Sequence, residues 1–263
     1  TWAFLRSVQT VTNDLVNNPN AALAAFEITA TDQLSGNVDT FNVEAISICE
    51  DYDQGQGWIV NPQGTNNPAS LLRCAILTNT STNAKALGLS RLDDNSFIEF
   101  YEWCETMGFT FNLYVDYQAT VHDIINLCAA AGRATCQCID GLWTVKIDKQ
   151  QNSIRQLFSP RNTIGYEAQR VYPDEVHGFR CRFISEVEGW NNSEMIVYAD
   201  GYDALTATKF EALQLPGVTN PEQLWFLAKY WLNVAAIQRE SFSITLDVEN
   251  LVSLPGDKIG WTE

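Results

Sequence analysis

Apolar residues recur at two periods along this chain, and the change of period divides it. In "LQLPGVTNPEQLWFLAKYWLNVAAIQRE", residues 213–240, Leu224, Leu227, Ala228, Trp231, Leu232 and Ala235 fall at helical spacing and predict one broad apolar face over 219–239, with Lys229, Asn233 and Arg239 off it. Thr219 is placed to cap this helix and Glu222 to close a capping box with it. Pro221 suits the first turn, where an N–H has no intrahelical acceptor. So apolar a face needs a cover, and its expected place is a protein core.

Helical spacing also governs residues 67–150. Asn67 and Pro68 open a helix through "ASLLRCAIL". After the polar linker "TNTSTNAKALGLSRLDDN", Ser96 and Glu99 read as a capping box for a second helix, with Phe97, Phe100, Tyr101 and Cys104 on one face and Gly108 at its end. The stretch "FTFNLYV" alternates like a strand, with Phe109, Phe111, Leu113 and Val115 on one side. Thr120 caps and Gly132 ends a third helix, "TVHDIINLCAAAG", and Asp140-Gly141 is a tight-turn signal within "ATCQCIDGLWTVKID". Residues 67–150 are thus expected to form a helix-helix-strand-helix-hairpin module.

On either side the period is two. Residues 1–66 hold the apolar run "AALAAFEITA", then Phe41, Val43 and Ala45 alternating with Asn42 and Glu44 as in a half-buried strand. The segment "EDYDQGQGWIVNPQGTNNP" is loop chemistry with room for a short strand at Trp58, Ile59 and Val60. From residue 155 the chain returns to strands. His177, Phe179, Cys181 and Phe183 alternate with Gly178, Arg180 and Arg182, and "SEMIVYADGY" and "SFSITLDVENL" continue the pattern. The 219–239 helix lies between the last two strands, so it is expected to cover a face or end of their sheet. The division is 1–66, 67–150 and 151–263, and the class is α+β.

Composition narrows the function. With 263 residues, 46% hydrophobic, the chain can bury a sizeable core, and no apolar run approaches the roughly 20 residues of a membrane span. The 32 acidic and 16 basic residues give a formal net charge of -16 and no Lys/Arg run, which disfavours binding to a phosphate backbone. Seven cysteines sit mostly inside apolar patterns, as reduced hydrophobes do in a protein folded in a cytoplasm. The chain starts at Thr1 rather than Met and ends on "GDKIGWTE", which reads as a strand, so it is expected to be a piece of a longer polypeptide.

Candidate chemistry is sparse. Cys128, Cys136 and Cys138, with His122 as a fourth candidate, are the potential metal ligands, but C-x-C is not the paired C-x2-C of a zinc knuckle, and no metal is expected. The sequence holds no nucleophile elbow, phosphate loop, H-E-x-x-H or dinucleotide fingerprint. His122 and His177 are expected to be structural or solvated. Asp51, Asp53, Asp93 and Asp94 are the loop carboxylates a glycosidase would draw on. Trp58, Trp143 and Trp190 are the residues a carbohydrate-binding or adhesin module would stack on sugars, the alternative function. Trp143 beside the Asp-Gly turn reads more simply as cross-strand packing. No catalytic or cofactor-binding residue is assigned, and no cofactor or enzymatic activity is expected.

A series of phrases carries a resemblance. They are "FEITATDQLSGNVDTFNV", "TNNPASLLRCAIL", "FYEWCETMGFTFNLYVDYQATVHDIINLCAAAGRATCQCIDGLWTVKID", "FSPRNTI", "RVYPDEVHGFRCRFISEVEGWNNSEMIVY" and "LPGVTNPEQLWFLAKYWLNVAAIQRE" with "LPGDKIGW". Their order across most of residues 26–261 resembles the hub region of the tail-tip attachment, or host-specificity and central tail-fibre, proteins of long-tailed bacteriophages, with related hubs in gene transfer agents.

The resemblance implies a structural protein of the virion tail tip, made in the bacterial host cytoplasm. Three copies would form a ring, a baseplate hub closing the tail tube. Its partners would be tail-tube or distal tail proteins, the tape measure protein and distal fibre domains. The implied fold is a set of β-rich, barrel-like tube-forming domains with a packed helix, supplied by 1–66 and 151–263, and a small α/β insertion at 67–150. Part of the negative charge would face the channel and repel exiting DNA. Receptor-binding modules of the family lie further C-terminal and are not implied here.

Overall fold

The computed structural model describes residues 43–61, 63–77, 87–170, 175–247 and 252–262. The run "AALAAFEITA" and the alternating pair Phe41 and Asn42 lie outside them. Contacts divide the chain into Thr1–Ala45 with Thr80–Ala84, and Ile46–Asn79 with Lys85–Glu263; every element below belongs to the second unit. Val43 and Ala45 are exposed and form no strand.

A hairpin opens the unit. β1 (Glu50–Asp53) and β2 (Gly57–Val60) pair antiparallel, so the expected loop folds back on itself, and Asp53 holds the turn by accepting from Gly55 N at 2.8 Å and Gln56 N at 2.9 Å. Helix α1 (Pro68–Leu77) starts as expected: Asn67 Oδ1 accepts from Ala69 N at 2.9 Å, and Ala69, Leu72 and Ile76 face the core. Helix α2 (Asp94–Met107) buries Phe97, Phe100 and Cys104 and ends at left-handed Gly108. Its start differs from expectation. Asp93 is the cap position, without a side-chain cap bond; Ser96 Oγ instead donates to Asp93 O and accepts from Val145 N of the hairpin, while Glu99 pairs with Lys149.

Helix α3 (Val121–Ala131) carries the expected cap as a full capping box between Thr120 and Asp123. It ends at Gly132, where any Cβ would lie 2.4 Å from the Phe100 ring, so the close approach of α2 requires glycine. β3 (Ala134–Ile139) and β4 (Leu142–Ile147) follow as the expected hairpin, with φ of 50° at Asp140 and 82° at Gly141 giving the twist two-residue turns need.

The segment 109–115 is not a strand. Phe109 and Phe111 are buried as the alternation expects, but Val115 is exposed. Backbone bonding runs to loops and a side chain: Phe111 N donates to Asn66 O, Asn112 N to Gly217 O, and Thr110 N to the Gln223 carboxamide. With no ladder to join, the segment stays extended and irregular.

The remaining strands fall into separate sheets. β7 (Gly178–Ser185) is central between antiparallel β8 (Asn191–Tyr198) and parallel β9 (Phe210–Leu213). β5 (Gln156–Phe158) pairs in parallel with β11 (Ile259–Trp261), and β6 (Gly165–Arg170) antiparallel with β10 (Glu240–Thr245). No closed barrel forms among the described residues, where the architecture is mixed helix and small sheets.

Helix α4 (Pro221–Ile237) packs on β7 and β8, so it covers the sheet of the earlier of its two flanking strands, while β10 belongs to a different sheet. Leu224, Leu227, Ala228 and Leu232 are buried as expected, whereas Trp231 and Ala235 are exposed, so only the first part of the predicted face is covered. One core runs from Leu72, Phe97 and Phe100 through Val145 to Cys181, Val197, Leu224 and Leu227. Residues 67–150 thus share their interior with the sheet that carries α4.

Candidate functional site

The residues leading into α4 form a junction whose hydrogen bonds draw on distant parts of the chain. Thr219 and Asn220 present adjacent side-chain oxygens, but only Asn220 caps: its Oδ1 accepts from Glu222 N at 2.8 Å and Gln223 N at 3.3 Å. The Thr219 hydroxyl is engaged elsewhere, donating to Glu186 Oε2 at 2.8 Å and accepting from Asn112 Nδ2 at 2.8 Å. Asn220 Nδ2 donates to Glu186 Oε1 at 3.0 Å. One carboxylate in the turn after β7 therefore grips both residues ahead of the helix, which is why the expected Thr219–Glu222 box does not form.

Gln223 is the residue the apolar pattern misses. It is buried, its Nε2 donates to Thr110 O and Ala131 O at 3.0 Å each, and its Oε1 accepts from Thr110 N at 3.1 Å and Thr110 Oγ1 at 3.3 Å. A single carboxamide thereby ties α4 to the end of α3 and to the irregular 109–112 segment. Proline at the first position and glutamine two later gave no signal beyond helix start. Further along, Lys229 Nζ donates to Tyr198 O at 2.9 Å and pairs with Asp200 at 2.7 Å, fixing the helix to the end of β8. Arg133, at φ 56°, lays its guanidinium over the Tyr230 ring at 3.8 Å and donates to Asp148 O at 2.6 Å. The helix is thus held from its start as far as Tyr230 by groups from the turn after β7, from the end of β8 and from the 67–150 region.

One recess adjoins the start of α4 and another lies against α2. One, of about 610 Å³, is lined by Met107, Phe109, Met195, Asn220, Trp225 and Phe226 at the start of α4. The other, of about 470 Å³, lies between β1 and α2 and is lined by Tyr52, Gln54, Tyr101, Glu102, Glu105 and Thr106. Behind it Trp58 packs on Tyr52 at 5.4 Å and on Tyr101 at 6.1 Å, with the buried Arg73 over its indole at 4.5 Å. Arg73 also pairs with Glu50 and, at 3.6 Å, with Asp94. Burial first, then the charges of Asp51 and Glu105, push the Tyr101 phenol above its ordinary range.

Three of the four sequence-selected carboxylates, Asp51, Asp53 and Asp94, have partners for their side chains. Asp51 accepts from Ser70 Oγ at 2.6 Å, Thr65 Oγ1 at 3.1 Å and Asn61 Nδ2 at 3.4 Å. Asp53 holds its turn, Asp94 faces Arg73, and Asp93 precedes α2. The hairpin pair and the α2 pair sit on different elements.

Five of the seven cysteines, Cys49, Cys104, Cys128, Cys136 and Cys181, are buried. Burial pushes the Cys128 and Cys136 thiols each up to about 12 and Cys181 up to about 11, the opposite of what a thiolate ligand or nucleophile needs. Cys138 and His122 are exposed, and among the described residues no group of three metal-capable side chains comes together. His177 stacks on Tyr202 at 4.0 Å, and its Nδ1 accepts from Thr208 N at 3.0 Å. Trp58 is packed as described, Trp143 lies opposite Cys138 across the β3–β4 hairpin, and Trp190 sits half-exposed in the turn before β8. The three tryptophans thus occupy separate hairpins. What the geometry builds is a bonded framework around one helix.

A scan against protein-family models returns no match, and a search of curated proteins returns none. Among solved structures, the chain is similar to the tail protein from Neisseria meningitidis MC58, at 13% identity and a TM-score of 0.43, over 58% of this chain and 48% of that one. It is also similar to the 43 kDa tail protein of prophage MuSo2 from Shewanella oneidensis, at 13% identity and a TM-score of 0.30, over 60% of this chain and 49% of that one. The matched portion spans about half the length of each of those proteins, and both scores are too low to fix a shared fold.

Proposed function

We propose that this chain is a structural, non-enzymatic component of a phage or prophage-derived tail, and more narrowly part of the hub at the tail tip that closes the tube and joins it to distal fibre domains. The observation that carries the proposal is the ordered set of phrases across residues 26–261, from "FEITATDQLSGNVDTFNV" to "LPGDKIGW". The architecture accords with it: α4 is bonded from several sides into a framework, and Asp51, Asp53 and Asp94 are engaged in side-chain bonds, a turn and an ion pair. Both solved proteins named above are tail proteins, but the likeness is too slight to support the proposal.

In this reading residues 67–150 are an insertion docked on the sheet that α4 covers, and 1–66 with 151–263 supply the tube-forming part. Copies associate as a trimer, with tail-tube or distal tail proteins and the tape measure protein above and fibre domains below. Part of the acidic surface lines the channel, where like charge keeps DNA moving. Separating particles from the source organism into heads and tails, with the chain detected by mass spectrometry, tests the proposal. Enrichment in the tail fraction is expected; recovery only outside both fractions overturns it.

A further inference from the structure

Three consecutive residues at the start of β1 lie along one side of α1. Asp51 accepts from Ser70 Oγ at 2.6 Å, Glu50 pairs with Arg73, and the Cys49 thiol is hydrogen-bonded with that of Cys74. The order is antiparallel, 51 against 70, 50 against 73 and 49 against 74. The thiol contact therefore continues a run of side-chain contacts that the two neighbouring pairs fix independently.

The backbone of Cys49 is held from the other side as well. Its carbonyl accepts from Asn61 N at 3.1 Å beside the β1–β2 hairpin, and Ser47 O accepts from Thr65 N at 3.0 Å. Cys49 is buried and Cys74 half-buried on α1. Cys128 of α3, which packs on α1, is the neighbouring thiol that could compete for Cys74. Sulfurs already in hydrogen-bond contact need to close by only about 2 Å to reach bonding distance.

The two thiols are not equivalent. The hydrogen bond with Cys74 first, then burial, pushes the Cys49 thiol well above its ordinary range. A hydrogen bond that favours the protonated form makes Cys49 the donor and Cys74 the accepting sulfur. Cys74 is therefore the sulfur that reacts first, and Cys49 stands beside it as the resolving thiol.

We infer that Cys49 and Cys74 form a modification site, a thiol pair that a small-molecule disulfide converts into an intramolecular disulfide tying the start of β1 to α1. Cys74, as thiolate, attacks one sulfur of the reagent and expels the other as a thiolate, which takes up a proton. Cys49 then gives up its proton and attacks the mixed disulfide at Cys74 Sγ, releasing the second thiol. Two protein thiols are oxidised to one disulfide, and the reagent disulfide is reduced to two thiols. In a reducing cytoplasm the pair stays as thiols, and in an oxidising medium the bond persists. The site stands apart from the tail role proposed above. Its consequence is mechanical: water competes for the Glu50–Arg73 and Asp51–Ser70 contacts, whereas a disulfide closes the 49–74 loop covalently and restricts the unfolded chain.

The full chain, incubated under native conditions with oxidised glutathione, alkylated and digested without reduction, tests this. Trypsin cuts after Arg73, so a 49–74 link joins two peptides that mass spectrometry identifies. The expected product is a protein lighter by two hydrogens that yields this linked pair and has a Tm higher by about 5–10 °C, a gain that reductant reverses. Cys49→Ser, without the resolving thiol, should instead retain glutathione on Cys74, and Cys138→Ser, which removes an exposed cysteine, should link as the wild type does. If Cys49→Ser unfolds, the wild-type peptide map decides alone. A wild type without the 49–74 link overturns the inference, whether Cys74 stays a thiol, stops at the glutathione adduct or links to Cys128.

Discussion

Replacing Gln223 by leucine removes the clamp on α4 without emptying much space. The lost carboxamide leaves Ala131 O, Thr110 N and Thr110 O without their partner. Ala131 is buried, so its carbonyl loses about 2 kcal/mol, and the two half-buried Thr110 groups about 1 kcal/mol each after partial rehydration. Extra apolar burial by leucine offsets roughly 1–2 kcal/mol of this. The net expectation is a loss of about 2–3 kcal/mol, seen as a lower urea midpoint with an unchanged m-value and a Tm lower by roughly 4–12 °C. Gln223→Ala should cost about 1–2 kcal/mol more, because it adds a cavity to the same lost bonds. Tryptophan fluorescence in urea and differential scanning calorimetry read both variants. A Gln223→Leu protein within about 0.5 kcal/mol of wild type would show that the carboxamide does not hold the helix, and the account of the junction would be wrong.

Asn220→Ala should destabilise by about 1 kcal/mol as a lost cap, while Glu222→Ala has no cap bond to lose; equal urea midpoints for Asn220→Ala and wild type would contradict the assignment. Gly217 has φ 85°, and a Cβ there would meet the Phe111 ring at 2.2 Å, so Gly217→Ala should cost about 2–5 kcal/mol from backbone strain and overpacking; a neutral thermal shift would contradict it. Asp257 is held below the usual carboxylate range, first by its hydrogen bond with Lys146 and then by Leu254 N–H. Its stabilisation is therefore complete above about pH 4 and lost as pH falls through the lower folded value, so Asp257→Asn should flatten the acid limb of the stability profile. An acid limb the same in both proteins would contradict that.

Local signals in the sequence translated directly into structure. Thr120 and Asp123 are three residues apart, and Asp140 and Gly141 are adjacent, so nothing distant competes for their geometry. Thr219 failed as a cap because Glu186, 33 residues away, takes its hydroxyl. Ser96 failed likewise, bonded 49 residues away to Val145 N. Alternation in 109–115 located Phe109 and Phe111 in the core, but strand formation depends on a neighbouring ladder that one segment cannot announce. Helical spacing located α4 and its buried start, yet gave Trp231 the same standing as Leu232, since periodicity counts apolar residues without knowing where the covering sheet ends. The polar clamp at Gln223 was invisible for the opposite reason: its value lies wholly in partners on α3 and the 109–112 segment.

The central claim, a place at the tail tip, is tested most directly by electron microscopy of particles from the source organism decorated with an antibody raised against this chain. Label confined to the tail end opposite the head is the predicted result. Absence of label from both intact and gently disrupted particles, with an antibody shown to bind the native protein, would contradict the claim.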